Sequence, residues 1–446
     1  MYHRAVRHLP NLQGPAAWDA ILPSRAAYPT APDNARYDVV IVGAGFAGLS
    51  AARRLTQIDP NLRIAVLDAL AIGQGGTGRN SGFMIDLPHE LTSDDYAGGG
   101  DEKTQIRFNR YAQDFGQAAA DDYGIDPNYF DKSGKINGAV GAAALDHNAT
   151  YARHLDDLGE GYEMLDAQVM RDVTGSAHYQ SGLYTPGTVM LQPAGYIRGL
   201  AAGLARQGVD IFERSPVIKF EKSGSHWALH TDRARIDCGQ VILGVNGHLE
   251  SFGYARGRLM QVFLFAAMTP ELDRDALAAL GGQPRWGITP SDPMGTTMRR
   301  IDTGQGGNRI ITRTCAVLRS GLRASPNDVA RAARIMQRKF DERFPKLAGL
   351  NMQYTWAGHL CLSSNGVSVT CEILTNLFSA CVQNGLGTAR GTLTGIAAAE
   401  MACGLNTDLT AHFQNETAPK ALPPRLIRDI GANAILRYKE WRARSE

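Results

Sequence analysis

The residues best placed to do chemistry begin with Gly43-Ala44-Gly45-Phe46-Ala47-Gly48, a Gly-x-Gly-x-x-Gly set between a β-branched run, Tyr37 to Val42, and Leu49, Ala52 and Leu55 at helical spacing. Gly43 permits a tight turn. Gly45 lets backbone amides approach a pyrophosphate with no Cβ in the way, and Gly48 lets the helix press against the sheet. Phe46 and Ala47 open that helix, whose unpaired N–H groups and partial positive charge suit an anion. A second apolar strand, Arg63 to Leu67, closes on Asp68, twenty residues past Gly48, where a carboxylate accepts hydrogen bonds from a ribose 2′-hydroxyl. Strand, turn, helix, strand and acid make a dinucleotide-binding unit; on these residues alone NAD and FAD are both open. A second polar, glycine-rich stretch, Gly73 to Gly82, follows at once. Farther on, Arg300, Arg309 and Arg313 are candidate carboxylate clamps, with an exposed sheet charge as the alternative reading of each.

These groups need elements to hold them. The periodicity predicts helices over Ile106 to Ala120, Gly195 to Gln207, Asn327 to Phe344 and Gly385 to Cys403. Four strand-like runs, Val209 to Glu213, Val217 to Glu221, Trp227 to Thr231 and Gln240 to Val245, read as one meander. Phe263 to Met268 and Arg309 to Thr314 suggest a separate sheet, and Leu377 to Val382 a last buried strand. With 446 residues the chain has room for two or three domains, yet no linker separates them, so two folding units must interleave. Its 46 basic and 44 acidic residues, scattered singly or in pairs, argue against a nucleic-acid partner. No apolar run approaches the roughly 18 residues of a membrane span. The six cysteines form no Cys-x-x-Cys pair and read as reduced thiols, which points to the cytoplasm and to no metal site.

At Gly76-Thr77-Gly78-Arg79-Asn80-Ser81-Gly82 the sequence resembles the D-amino-acid oxidase-like family of FAD-dependent amine and amino-acid oxidoreductases, in particular its γ-glutamylputrescine oxidase branch. The likeness continues through Gly182 to Tyr196, Ser215 to Ile218, Gln240 to Gly247, Trp356 to Gly358 and Asn384 to Thr388, in that order. It implies an α/β chain, α+β overall, with a Rossmann-like FAD-binding domain of the glutathione-reductase type interleaved with a smaller substrate domain on a mainly antiparallel sheet. The expected boundaries are an N-terminal extension over 1–36, a cofactor domain of 37–100, 185–250 and 355–425, a substrate domain of 101–184 and 251–354, and a helical tail over 426–446. By resemblance Thr77, Gly78, Arg79, Asn80 and Ser81 wrap the pyrophosphate and flavin edge, Val217 holds the adenine through its backbone, and Asn246 and Gly247 return to the pyrophosphate. Gly385, Leu386, Gly387 and Thr388 aim a helix N-terminus at the flavin, where fixed dipoles stabilise the negative charge of reduction.

The resemblance further implies FAD-dependent oxidation of the C–N bond of a small amine or amino acid by hydride transfer, with dioxygen or another electron acceptor. Alternatives are oxidation of a 2-hydroxy acid and a non-catalytic FAD-binding subunit. Relatives with covalent flavin use a His beside the Arg-Asn pair or a Cys near Trp-x-Gly. Asn80 and Ser81 occupy the first place and Cys361 lies a few residues beyond the second, so non-covalent FAD is expected. Two departures stand out: Ser363 to Ser368 replaces the family's Asp-x-x-Pro, and no lysine aligns where relatives activate oxygen. Arg309 takes that catalytic role by approximate alignment; His359 is the second catalytic candidate, with a packed structural imidazole as its alternative.

Overall fold

The computed structural model describes residues 2–88 and 101–446; residue 1 and residues 89–100, which close the first expected cofactor-domain segment, lie outside the described residues. Five parallel strands run in the order Leu377–Cys381, Arg235–Leu243, Ala35–Val42, Ile64–Leu67 and Asp210–Phe212. The alternation of side chains divides the two faces cleanly. Val39, Ile41, Ile64 and Val66 pack against helices Phe46–Ile58, Pro193–Arg206 and Ala389–Ala402, whereas Val40, Val42, Ala65 and Leu67 meet Phe220, Trp227 and Leu229. Both faces are buried, which explains why these strands read as continuous apolar runs.

The second face is covered by an antiparallel meander of Lys219–Ser223, His226–His230 and the first half of Arg235–Leu243. It has three strands, not four. Val209 to Glu213, expected in the meander, instead supplies the parallel edge strand Asp210–Phe212, because helix Pro193–Arg206 carries the chain across the sheet before it. Tyr2–Ala5 adds a further antiparallel strand on Lys219–Ser223.

An eight-stranded sheet forms the other half of the molecule, in the order Tyr354–Ser363, Leu259–Met268, Arg309–Leu318, Thr297–Ile301, Trp286–Pro290, Lys135–Ala139, Ser181–Thr185 and Glu163–Asp166. All its pairings are antiparallel except that of Trp286–Pro290 with Lys135–Ala139. Helix Pro326–Arg343 covers one face, opened by a capping box in which Ser325 and Asp328 bond each other's backbone. The opposite face abuts the Thr77 to Gly82 stretch: Trp356 Nε1 donates to the Arg79 carbonyl and Arg299 Nη1 to the carbonyls of Ser81, Gly82 and Leu191.

Candidate active site

A continuous cavity runs between the two sheets, walled by Gly43, Gly45, Phe46, Ala47, Asp68, Thr77, Asn80, Val217, Asn246, Gly385, Gly387 and His359. The first βα turn has the geometry its glycines suggested. Gly43 sits at φ +105, and a Cβ on Gly48 would collide with the Gly43 carbonyl, so Gly48 shapes the turn from outside the cavity. A Cβ on Gly45 would come within 2.8 Å of Thr77 Oγ1. Gly45 precedes helix Phe46–Ile58 with no side chain capping it, so the orphan N–H groups of that terminus remain available. Asp68 accepts from the backbone N–H of Ala44 and of Leu70, each at 2.8 Å. Burial pushes its carboxyl up to about 6, against the pull of those two N–H groups. Glu213, almost wholly buried, holds the loop beyond Asp68 by accepting from Arg25 and from the backbone N–H of Tyr28 and Ile72.

The Gly73 to Gly82 loop is fixed by its own polar groups. Asn80 Oδ1 accepts from Gly82 N at 2.7 Å, Asn80 Nδ2 donates to the Thr77 carbonyl, and the Asn80 carbonyl accepts from Trp18 Nε1 at 2.8 Å. Arg79 turns away from the cavity. It donates to the carbonyls of Gln74, Gln13, Ala357 and Gly14, and burial lowers its pKa to about 10. Gly78 and Ser81 likewise lie behind the lining, and a Cβ on Gly78 would collide with the Gly73 carbonyl.

Across the cavity, Asn246 and Asn384 adopt positive φ of 46 and 49, and Gly385 follows at +91. That backbone excludes a right-handed helix through Gly385, so Gly385 to Thr388 is a turn and the helix expected from Gly385 spans Ala389–Ala402. Thr388 donates to the Phe83 carbonyl at 2.9 Å, while Leu386 and Gly247 support the wall from outside it. Three lining residues, Asn246, His248 and Gln383, each carry a buried side-chain N or O atom with no partner among the described residues. Unpaired buried polar atoms, an uncapped helix terminus and a glycine cradle together fit a long polar dinucleotide.

His359 lies on the cavity wall, its ring stacked on Phe263 with centroids 4.9 Å apart. Gln261 Nε2 donates to the Gly247 carbonyl and the Glu250 carboxylate, so Gln261 Oε1 must accept at 2.8 Å from His359 Nε2. Burial, reinforced by His248, depresses the pKa of His359 to about 3 and leaves it a neutral imidazole. Neither Arg309 nor Arg313 lines this cavity, and Arg309 is fully engaged elsewhere: it donates to the Thr269 and Gly306 carbonyls and to Gln353 Oε1. Arg300 points to the opposite sheet face with Trp286 and donates to the Gly281 carbonyl.

The match that decides the family covers residues 38–401, described as FAD dependent oxidoreductase, DAO. The chain belongs to the DAO family of FAD-dependent oxidoreductases. Among curated relatives, a probable oxidoreductase OrdL of Rhizobium meliloti is 23% identical over 90% of this chain and 91% of its own. A gamma-glutamylputrescine oxidoreductase of Escherichia coli is 22% identical over 84% and 86%. The fold is that of glycine oxidase from Geobacillus kaustophilus, with TM-score 0.68 and 17% identity over 85% of this chain and 98% of that one. It is also that of L-amino acid deaminase from Proteus myxofaciens, with TM-score 0.67 and 12% identity over 93% and 99%.

In this DAO-family oxidoreductase the sequence reading missed the N-terminal contribution. Val6, His8, Leu9, Pro10 and Leu12 line the cavity, held in place by Arg7 N donating to the Ser251 carbonyl and Ala357 N to the Gln13 carbonyl. A polar stretch interrupted by proline carries no periodicity that would announce such a role. Arg313 was one of three equivalent arginines in the sequence, and the structure separates it from the others. It shares a sheet face with Ala266, Thr297 and Trp356, has no hydrogen-bond or ion-pair partner among the described residues, and is pushed down to about 10 by burial.

Proposed function

We propose that this chain oxidises the C–N bond of a small amino acid or carboxylate-bearing amine, using non-covalently bound FAD and dioxygen as the electron acceptor. FAD, when bound, supplies the two-electron acceptor for a hydride leaving the substrate's α-carbon. The observation that carries the reading is Arg313. A guanidinium with its Nε buried and unpartnered is costly unless an anion completes it, and it lies on the sheet face whose neighbours Trp356 and Arg299 touch the loop Arg79 to Gly82. It would hold the substrate carboxylate. His359 favours an amine over a hydroxy acid. Burial holds it neutral and its Nε2–H is given to Gln261 Oε1, so it is a poor base for an alcohol proton, whereas an unprotonated amine loses hydride without one. The names of the relatives, which include a gamma-glutamylputrescine oxidoreductase and a glycine oxidase, support the same class.

Replacing Arg313 by Met is expected to weaken anaerobic substrate binding by about 2 kcal/mol, roughly thirtyfold in Kd, with flavin content unchanged. Partial rescue by Arg313→Lys would support a charge role, and unchanged binding in both variants would remove Arg313 from the site. The Cys361 thiol lines the cavity, but burial raises its pKa well above the ordinary range, which supports non-covalent attachment. Acid precipitation should therefore give a colourless pellet and a yellow supernatant. All six cysteines are free, as suits the cytoplasm.

A further inference from the structure

Helix Arg425–Arg442 is mounted with its amphipathic pattern reversed. Its polar residues face the protein: Asn433 exchanges hydrogen bonds with the backbone N–H and carbonyl of Leu318 at 2.9 and 3.1 Å, and Glu440 accepts from Ala316 N at 2.9 Å. They close the edge of strand Arg309–Leu318 beyond Arg313, where its neighbour Thr297–Ile301 has ended. Leu436 and Ala432 complete the inner contact against Val262, Ala316 and Leu318.

The outer face carries Ile427, Ile430, Ala434, Tyr438 and Trp441, spaced by three or four residues so that they form one stripe. Ile427, Ile430, Tyr438 and Trp441 are 66%, 65%, 60% and 59% exposed, and among the described residues every large hydrophobic more than half exposed lies on this helix. A stripe of this kind marks an interaction surface. Its carboxylates point inward: Asp429 and Glu440 are 28% and 10% exposed. Arg425 and Arg442 keep 69% and 46% exposure although Asp429 and Asp292 lie within 3.7 and 3.4 Å of them, and the Arg444 guanidinium stacks 4.6 Å over the Trp441 ring. From Lys420 to Glu446 there are seven basic and three acidic residues, a net +4, so the remaining 419 residues of this +2 chain carry −2.

We propose that helix Arg425–Arg442 docks the protein on the surface of an anionic lipid bilayer. Ile427, Ile430, Tyr438 and Trp441 enter the boundary between headgroups and acyl chains, and Arg442 and Arg444 meet lipid phosphates. Among the described residues no helix is long and apolar enough to cross a membrane, so the helix lies in the plane of the interface. A second copy suits the surface less well. Pairing two copies along the stripe, antiparallel or parallel, would bring together two segments of net charge +4. An anionic surface accommodates that charge.

The test is flotation of the full-length, FAD-loaded protein with vesicles of phosphatidylcholine alone and of phosphatidylcholine mixed equally with phosphatidylglycerol. Binding is expected to the anionic vesicles, to be roughly tenfold weaker on phosphatidylcholine, and to fall similarly at about 1 M salt, where the Debye length is roughly 3 Å. Ile430→Glu and Trp441→Glu, each at an exposed site, should abolish flotation while flavin content and thermal midpoint stay at the wild-type values. Failure of the wild type to float on anionic vesicles overturns the proposal. So does a dimer in sedimentation that Ile430→Glu converts to a monomer, since the second copy would then cover the stripe. This inference is independent of the substrate reading, which vesicle flotation does not test.

Discussion

Gly45 and Asp68 both line the cavity, at the places the spacing of the first turn put them, because the demand for a missing Cβ and for a carboxylate at the strand end is local. A Cβ placed on Gly45 would come within 2.8 Å of Thr77 Oγ1, which adds a quantitative consequence. Gly45→Val should leave the apoprotein folded and reduce the flavin bound per chain by tenfold or more, measured as flavin absorbance against protein, since its side chain fills space the cradle keeps open. Asp68 offers a pH test. Its folded pKa, about 6, is raised above the ordinary 3.8, so the native apoprotein holds its proton longer than the unfolded chain. Its contribution to stability is therefore complete below about pH 4 and is lost as pH rises towards 6, by roughly 2 to 3 kcal/mol. Urea unfolding of the apoprotein across that window should show this downward slope in the wild type and not in Asp68→Asn. Arginines were less legible. A sequence shows that Arg79, Arg309 and Arg313 exist but not which carbonyls absorb their donors, and the structure gives Arg79 four and Arg309 three, leaving Arg313 with none among the described residues.

Among the elements, the βαβ unit was readable because periodicity and turn chemistry agree there. Two others were misjudged for identifiable reasons. The run Val209 to Glu213 has the same composition whether it joins a meander or a parallel sheet, and only the preceding crossover helix decides. The segment from Val6 to Gln13 has no period at all, yet it bridges the cavity between anchors at Ser251 and Ala357. Deleting residues 2–12 should accelerate FAD release by about tenfold or more, followed as the rise of flavin fluorescence after dilution, because the roof contributed by His8, Leu9, Pro10 and Leu12 is removed. Release at the wild-type rate would show that these residues merely rest on the cavity.

At the scale of the whole molecule, interleaving followed from the absence of a linker, and the mainly antiparallel second sheet was implied by the family resemblance rather than by any pattern in its strands. Its extent was not. Trp286–Pro290 and Lys135–Ala139 pair in parallel across about 150 residues of sequence, and no local pattern encodes such a pairing. That sheet sets Arg313 on the face lying against the Arg79 to Gly82 loop, while the parallel sheet and its helices wall the cavity with Gly43, Gly45, Phe46 and Asp68, so the proposed chemistry depends on the place where the two halves meet. The most direct measurement is an anaerobic titration of the purified, FAD-loaded protein with amines, amino acids and 2-hydroxy acids, following the flavin absorbance band. Bleaching by an amino acid or carboxylate-bearing amine, none by hydroxy acids, and recovery of the colour on admitting air is the expected result. A flavin reduced only by a hydroxy acid, or by no member of the panel, would contradict it.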